Sequence, residues 1–366
     1  MADTLQPPVR FDPSMEHPEA DEAETSRGLN DTLHTILETT SKDYDHAVRA
    51  VHAKAHGVLK GTLKVHDGLP PELAQGLFAT AGSYDAVLRF STNPGDILDD
   101  SISVPRGLAI KLTGVEGARL PGSEGDGTQD FILVNGPAFA TPGGKQFLAN
   151  LKLLAKTTDR AEWAKKILSA ALRGTEAALE TVGLESAKLQ TLGGAANVHP
   201  LGETYYSQAP FLYGDYIAKF AVFPVSPNLT ALTGEKVNAS GRPDALREDI
   251  AEAMAEGDAV WELRVQLCRD VEKMPIEDAS ALWDEKESPF ITVATLTAPA
   301  QASWTHDRGR FADDQLRFSV WTGIADHRPL GSINRFRKSA YEMSSEYRGQ
   351  FNGCPIHEPR ELAVPE

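Results

Sequence analysis

AVHAKAHGVLKGTLKVH at 50–66, AVLRFST at 86–92, RGLAIKL at 106–112 and DFILVNGPAF at 130–139 decide the fold. Each run mixes β-branched or aromatic residues with polar ones, and turn-rich stretches such as NPGD (93–96) and LPGSEGDG (120–127) separate them. Short runs of this kind, punctuated by Gly and Pro, read as successive strands. Side chains alternate along a strand, so His52, Lys54 and His56 fall on one face and Val51, Ala53 and Ala55 on the other. By the same rule Arg89 and Ser91 share a face.

From about 144 to 192 the period changes. Apolar residues recur at three-and-four spacing with few β-branched residues, which predicts an insertion of two or three helices. Strand-like runs then return as YIAKFAVFPV (216–225), AVWELRVQLC (259–268) and FITVATLTAP (290–299). A last helical pattern covers about 332–349. One β-rich domain over 31–350 with a helical insertion fits better than two domains. Residues 1–30, rich in acids and prolines, are expected to form a solvated arm, and 351–366 an irregular tail.

Composition excludes several functions. Among 366 residues, 36 basic side chains face 52 acidic ones, a net charge of −16 that argues against nucleic-acid or anionic-membrane binding. No apolar run is long enough to span a bilayer, and the start of the chain lacks the basic–apolar pattern of a secretory signal. Two cysteines, Cys268 and Cys354, make no disulfide framework and are read as structural, so a cytoplasmic location is expected. Hydrolase-elbow, Walker, dinucleotide and C-x-x-C motifs are missing.

Three constellations remain. On the last helix Arg337, Tyr341 and Arg348 fall within roughly 40° of one another. Either a tyrosine packs under arginine stems on a solvent face, or Arg337, one turn before Tyr341, favours its phenolate. A phenolate is a hard anionic ligand suited to ferric iron. His52 and His56 could suggest zinc, but Ala53 stands where the zinc-protease motif has Glu, so zinc is not expected. Asn135 before Gly136-Pro137 is ordinarily a turn residue.

Taken in order, Arg49-x-x-His52-Ala53-Lys54, Arg89-Phe90-Ser91-Thr92, Pro105 to Lys111, Asn135 to Phe139, and Arg337-x-x-x-Tyr341 with Arg348 resemble the haem catalase family over roughly 45–350. The resemblance implies an α+β fold: an eight-stranded antiparallel β-barrel enclosing haem b, with a helical insertion and a C-terminal proximal helix. It implies Tyr341 as the iron ligand, kept ionised by Arg337. His52 becomes the distal acid–base residue, hydrogen-bonded by Ser91, with Asn135 as its companion. Arg49, Arg89 and Arg348 would pair with the haem propionates, and Phe139 would pack near the haem face.

The implied activity is disproportionation of hydrogen peroxide, or peroxide reduction with an organic donor. The alternative keeps the haem but reduces or rearranges organic (fatty-acid) hydroperoxides; a barrel that binds haem without turnover is a third reading. A small peroxide is the expected partner, in a homo-dimer or tetramer. Departures point to a short catalase-related branch. Only 25 residues follow Tyr341, so the family's C-terminal region and bound NADPH are not expected; Ala55 and His56 interrupt the family's V-H-A-K-G, and Ser345 stands where a histidine is common.

Overall fold

The computed structural model describes residues 5–155 and 196–366. The first four strand patterns form an antiparallel meander: β1 (Ala55–Val65), β2 (Ser83–Thr92), β3 (Arg106–Thr113) and β4 (Thr128–Val134). The short strands β5 (Tyr205–Tyr206) and β6 (Phe211–Tyr213) both pair with the same edge of β7 (Tyr216–Pro224). They are therefore two halves of one broken strand; Gln208, in the break, has φ +62°. β8 (Ala259–Leu267) and β9 (Ile291–Ala298) complete the circuit, since β9 pairs with β1 and β5 joins β4 to β7. The result is a closed, eight-stranded antiparallel barrel, which leaves no long sheet edge exposed.

Alternation decides what fills it. Leu59, Leu63, Leu88, Phe90, Leu108, Ile110, Phe131 and Leu133 point inward and meet Phe220, Trp261 and Leu263 from the opposite wall. Phe90 lies 6.2 Å from Trp261 and Phe131 5.1 Å from Phe220, centroid to centroid. The interior is thus a packed apolar core. The intervening residues Arg89, Ser91, Gly107, Ala109 and Ile132 face outward, and it is on this outer face that helices build the site.

Four helices of more than two turns are described: α1 (Glu22–Tyr44), α2 (Gly144–Ala155), α3 (Ala245–Glu256) and α4 (Gly331–Phe351). α1, α2 and α4 pack through Leu29, Leu33, Ile36, Leu37, Leu151, Phe336 and Ala340. The expected arm over 1–30 is corrected accordingly, because α1 starts at Glu22. Its apolar stripe at 29, 33, 36 and 37 begins late, behind acids that suit a helix N-terminus, so the opening turns read as polar arm. The preceding stretch lies on the barrel: Val9 N donates to Cys268 O and Phe11 N to Asp215 O, both at 2.8 Å.

α2 begins the expected insertion; the remainder of 144–192 lies outside the described residues. Beyond α4 the chain has no regular structure, yet Val364 is buried and Glu358 accepts from Lys111 Nζ at 2.7 Å. Cys268, just past β8, is buried, whereas Cys354 is exposed. Among the described residues no helix is long and apolar enough to cross a membrane.

Candidate active site

The chain enters β1 through a tight bend. His52 has φ +56°, its N–H donates to Asn93 O at 2.7 Å, and Ala53 N–H to Pro94 O at 3.0 Å. The expectation that His52, Lys54 and His56 share a strand face is corrected here: His52 precedes the strand, and a bulge between Ala55 and Gly57 shifts the register. Lys54 is buried against Asp100 at 2.7 Å, and His56 is buried with Nε2 3.1 Å from Thr92 Oγ1. Both belong to the packing. Only His52 reaches the cavity.

The imidazole is fixed on two sides. Its Nδ1 is 3.1 Å from Ser91 Oγ, and its edge lies on Gly107 of β3, where a Cβ would come within 2.5 Å of Cε1. Burial, followed by the charges of Arg89, Arg337 and Arg49, pushes its pKa down to about 3. The ring is therefore a neutral base, and among the described residues only its Nδ1 is hydrogen-bonded.

Three guanidinium groups converge nearby, brought from the bend (Arg49), from β2 (Arg89) and from α4 (Arg348). Arg49 pairs with Asp313 and donates to Ala312 O at 2.6 Å and Leu316 O at 2.9 Å. Arg89 reaches the same Asp313 oxygen through Nη2 at 2.9 Å and Nε at 3.3 Å. Arg348 donates to the Asp313 carbonyl and, at 3.4 Å, to Leu316 O; its buried Nε has no partner among the described residues. Burial and the two other arginines push Arg49 well below its ordinary pKa, and burial takes Arg348 down to about 10. Asp313, although burial pushes it up, is held below the usual carboxylate range by Arg89, Arg49 and Arg348.

The cavity has two lobes, of about 80 Å³ and about 160 Å³, that share Leu33, Val51, His52, Ala340 and Tyr341. The three arginines and Ser91 line the smaller lobe. Asn135, Phe139 and Arg337 line the larger, and Phe139 packs edge-on against Phe147 at 5.0 Å. All nine residues singled out from the sequence thus border one space. Two of them are also held by residues that do not line it. Arg337 donates to Asn334 Oδ1 at 3.2 Å. Asn135 is held at both ends of its amide, accepting from Arg106 N at 2.8 Å and donating to Glu203 Oε1 at 2.7 Å.

No family model and no curated protein sequence matches the chain. Solved structures do. Catalase A from Saccharomyces cerevisiae is similar over 96% of this chain and 70% of its own, with a TM-score of 0.56 and 16% identity. The chain has the catalase fold. A bacterial catalase gives 0.57 over 99% of this chain and 68% of that one, and a fungal catalase 0.55 over 96% and 67%, both at 16% identity. In these catalase-like surroundings the donor set suits haem b. The buried Arg89 and Arg348 and the part-buried Arg49 are cations of the kind that two propionates would take, and a tyrosine borders the same space.

Sequence reasoning missed Asp313, Glu203, the α1 residues Leu29 and Leu33, and the role of Gly107. The first three carry no local signal, since each matters only through distant partners. Gly107 could have been found: a strand-interior glycine often marks a close approach.

Proposed function

We propose that the chain is a haem-dependent oxidoreductase that consumes peroxide, disproportionating hydrogen peroxide or reducing it with an organic donor. The observation that carries this reading is the meeting of His52–Ser91, Tyr341 and three arginines at one cavity on a catalase fold.

In this reading Tyr341 would hold the iron, Arg49, Arg89 and Arg348 would hold the propionates, and Arg337 would favour the phenolate. Bound haem supplies the electrons and the oxidised state that cleavage of an O–O bond requires. The chain's own part is proton transfer. Ser91 engages Nδ1 of His52, leaving Nε2 to take a proton from one peroxide oxygen and return it to the other as the bond breaks. The low proton affinity of the ring keeps Nε2 free to accept at neutral pH. Asn135, fixed by Glu203 and Arg106, keeps a second amide proton with which to orient the peroxide.

The test is to express the protein with haem supplied, then follow its absorption spectrum and oxygen release on adding hydrogen peroxide. A tyrosinate-type ferric spectrum that is lost in Tyr341→Phe, together with oxygen release, is the expected result. Haem without oxygen release, but with turnover of an organic hydroperoxide, would move the assignment to that substrate. A wild-type chain that takes up no haem sinks the proposal.

A further inference from the structure

Most donor nitrogens of the three arginines are engaged, Arg348 Nε being a buried exception among the described residues. Arg49 and Arg89 both terminate on one oxygen of Asp313, and Arg49 and Arg348 otherwise donate to the carbonyls of Ala312, Asp313 and Leu316. Asp313 sits in a single π-helical turn, Phe311–Gln315, immediately after the short helix His306–Arg310. Wide turns of this type are rare and tend to occur at functional sites. This one offers a carboxylate and backbone oxygens to the same three cations.

A carboxylate that binds two guanidinium groups occupies donors that an incoming carboxylate could use. Without it, three cations would stand together with little water to screen them: Arg89 is 2% exposed and Arg348 3%. Asp313 is itself 30% exposed at its side chain, so it has room to move aside.

We propose that Asp313 is an internal counter-ion: it offsets one charge of the three-arginine cluster and yields the donors it holds to the carboxylates of a porphyrin diacid. This rests on the reading that the cavity takes haem, but concerns a residue that touches no reacting atom. It is a positioning residue for ligand loading.

Two opposite consequences separate this role from an ordinary structural one. Asp313→Asn retains the shape and one acceptor but removes the charge. The ligand-free variant should unfold at lower urea than wild type, while binding metal-free protoporphyrin IX more tightly. The gain should be roughly tenfold, because a hydrogen bond to a charged group contributes on the order of the energy that a tenfold affinity change represents. The dimethyl ester, which lacks the carboxylates, should show no such gain. Asp313→Glu should restore wild-type behaviour in both measurements.

Fluorescence titration with protoporphyrin IX and its dimethyl ester reads affinity without iron or turnover. If Asp313→Asn does not fold alone, refolding should be rescued by the diacid and not by the ester; rescue by neither overturns the inference. Equal affinities of wild type and Asp313→Asn for the diacid overturn it while leaving the haem reading intact. Failure of the wild type to bind either porphyrin overturns both.

Discussion

His52 Nδ1 lies 3.1 Å from Ser91 Oγ, although His52 stands outside the strand that pairs with Ser91. The contact exists because the bend at 51–53 folds the chain back over β2, with His52 in the left-handed region. The hydroxyl thereby sets the ring's orientation from a rigid strand.

Ser91→Ala should loosen that orientation without emptying the cavity. Peroxide turnover should fall about tenfold, with stability lowered by about 1 kcal/mol for one lost hydrogen bond. His52→Ala should cost more, roughly a hundred- to ten-thousand-fold in turnover, the usual worth of a positioned acid–base group. Haem content should stay unchanged in both. Parallel measurement of haem stoichiometry and rate checks this; an unimpaired His52→Ala rejects the assignment.

Gly107→Ala attacks the same ring from the other side. The new Cβ would lie 2.5 Å from Cε1 and 2.7 Å from Nδ1 of His52, so the imidazole must shift. We expect a stability loss of about 1–3 kcal/mol, as for other overpacked sites. Turnover should also fall below that of Ser91→Ala. Urea midpoints and initial rates read the two effects separately.

Lys111, part of the family-like P-R-G-x-A-x-K run, serves stability. Its ammonium lies 2.7 Å from both Asp130 and Glu358, with side-chain exposures of 0%, 0% and 2%. Lys111→Ala leaves the buried Asp130 without its cation, while Glu358 keeps Arg317 at 2.7 Å, and should cost about 3–5 kcal/mol. Glu358→Gln, which releases the tail from β3, should cost less. Denaturant melts decide the order; a neutral Lys111→Ala contradicts it.

Acid should destabilise the fold through its buried histidines. His327 Nε2 accepts from Leu77 N–H at 3.0 Å, and burial pushes its pKa down to about 4. Burial and neighbouring cations likewise lower His52, to about 3, and His56. The unfolded chain therefore binds more protons than the native one below the ordinary histidine pKa. Stability is fully present above pH ~6.5 and is lost as pH falls towards 4, with His327 alone contributing about 3 kcal/mol at its acid limit. His327→Gln should flatten this slope in urea titrations between pH 7 and 4.5; an unchanged slope rules His327 out.

The strands around Arg89, Lys111 and Asn135 were legible because alternation and Gly–Pro punctuation are local properties of a strand. Tyr341 and Arg348 were legible because a 3.6-residue period places them on one helix face. His52 was identified by motif, but its strand placement failed: the bulge at Ala55/Gly57 depends on pairing with β2. The early start of α1 was hidden because its apolar stripe gains meaning only against Leu151 and Phe336.

The sequence by itself determined the periodicities, and with them the strands and the last helix, while its resemblance to the haem catalase family pointed to the nine residues that border the cavity. Only the tertiary structure decided that the barrel interior is filled and that the cavity lies on its outer face, because the sign of an alternating pattern is set by what packs across from it. It also brought Asp313 to three arginines 224, 264 and 35 residues away in sequence. No local pattern encodes such a meeting, since ion pairs between distant segments form only once closure of the chain has brought them together.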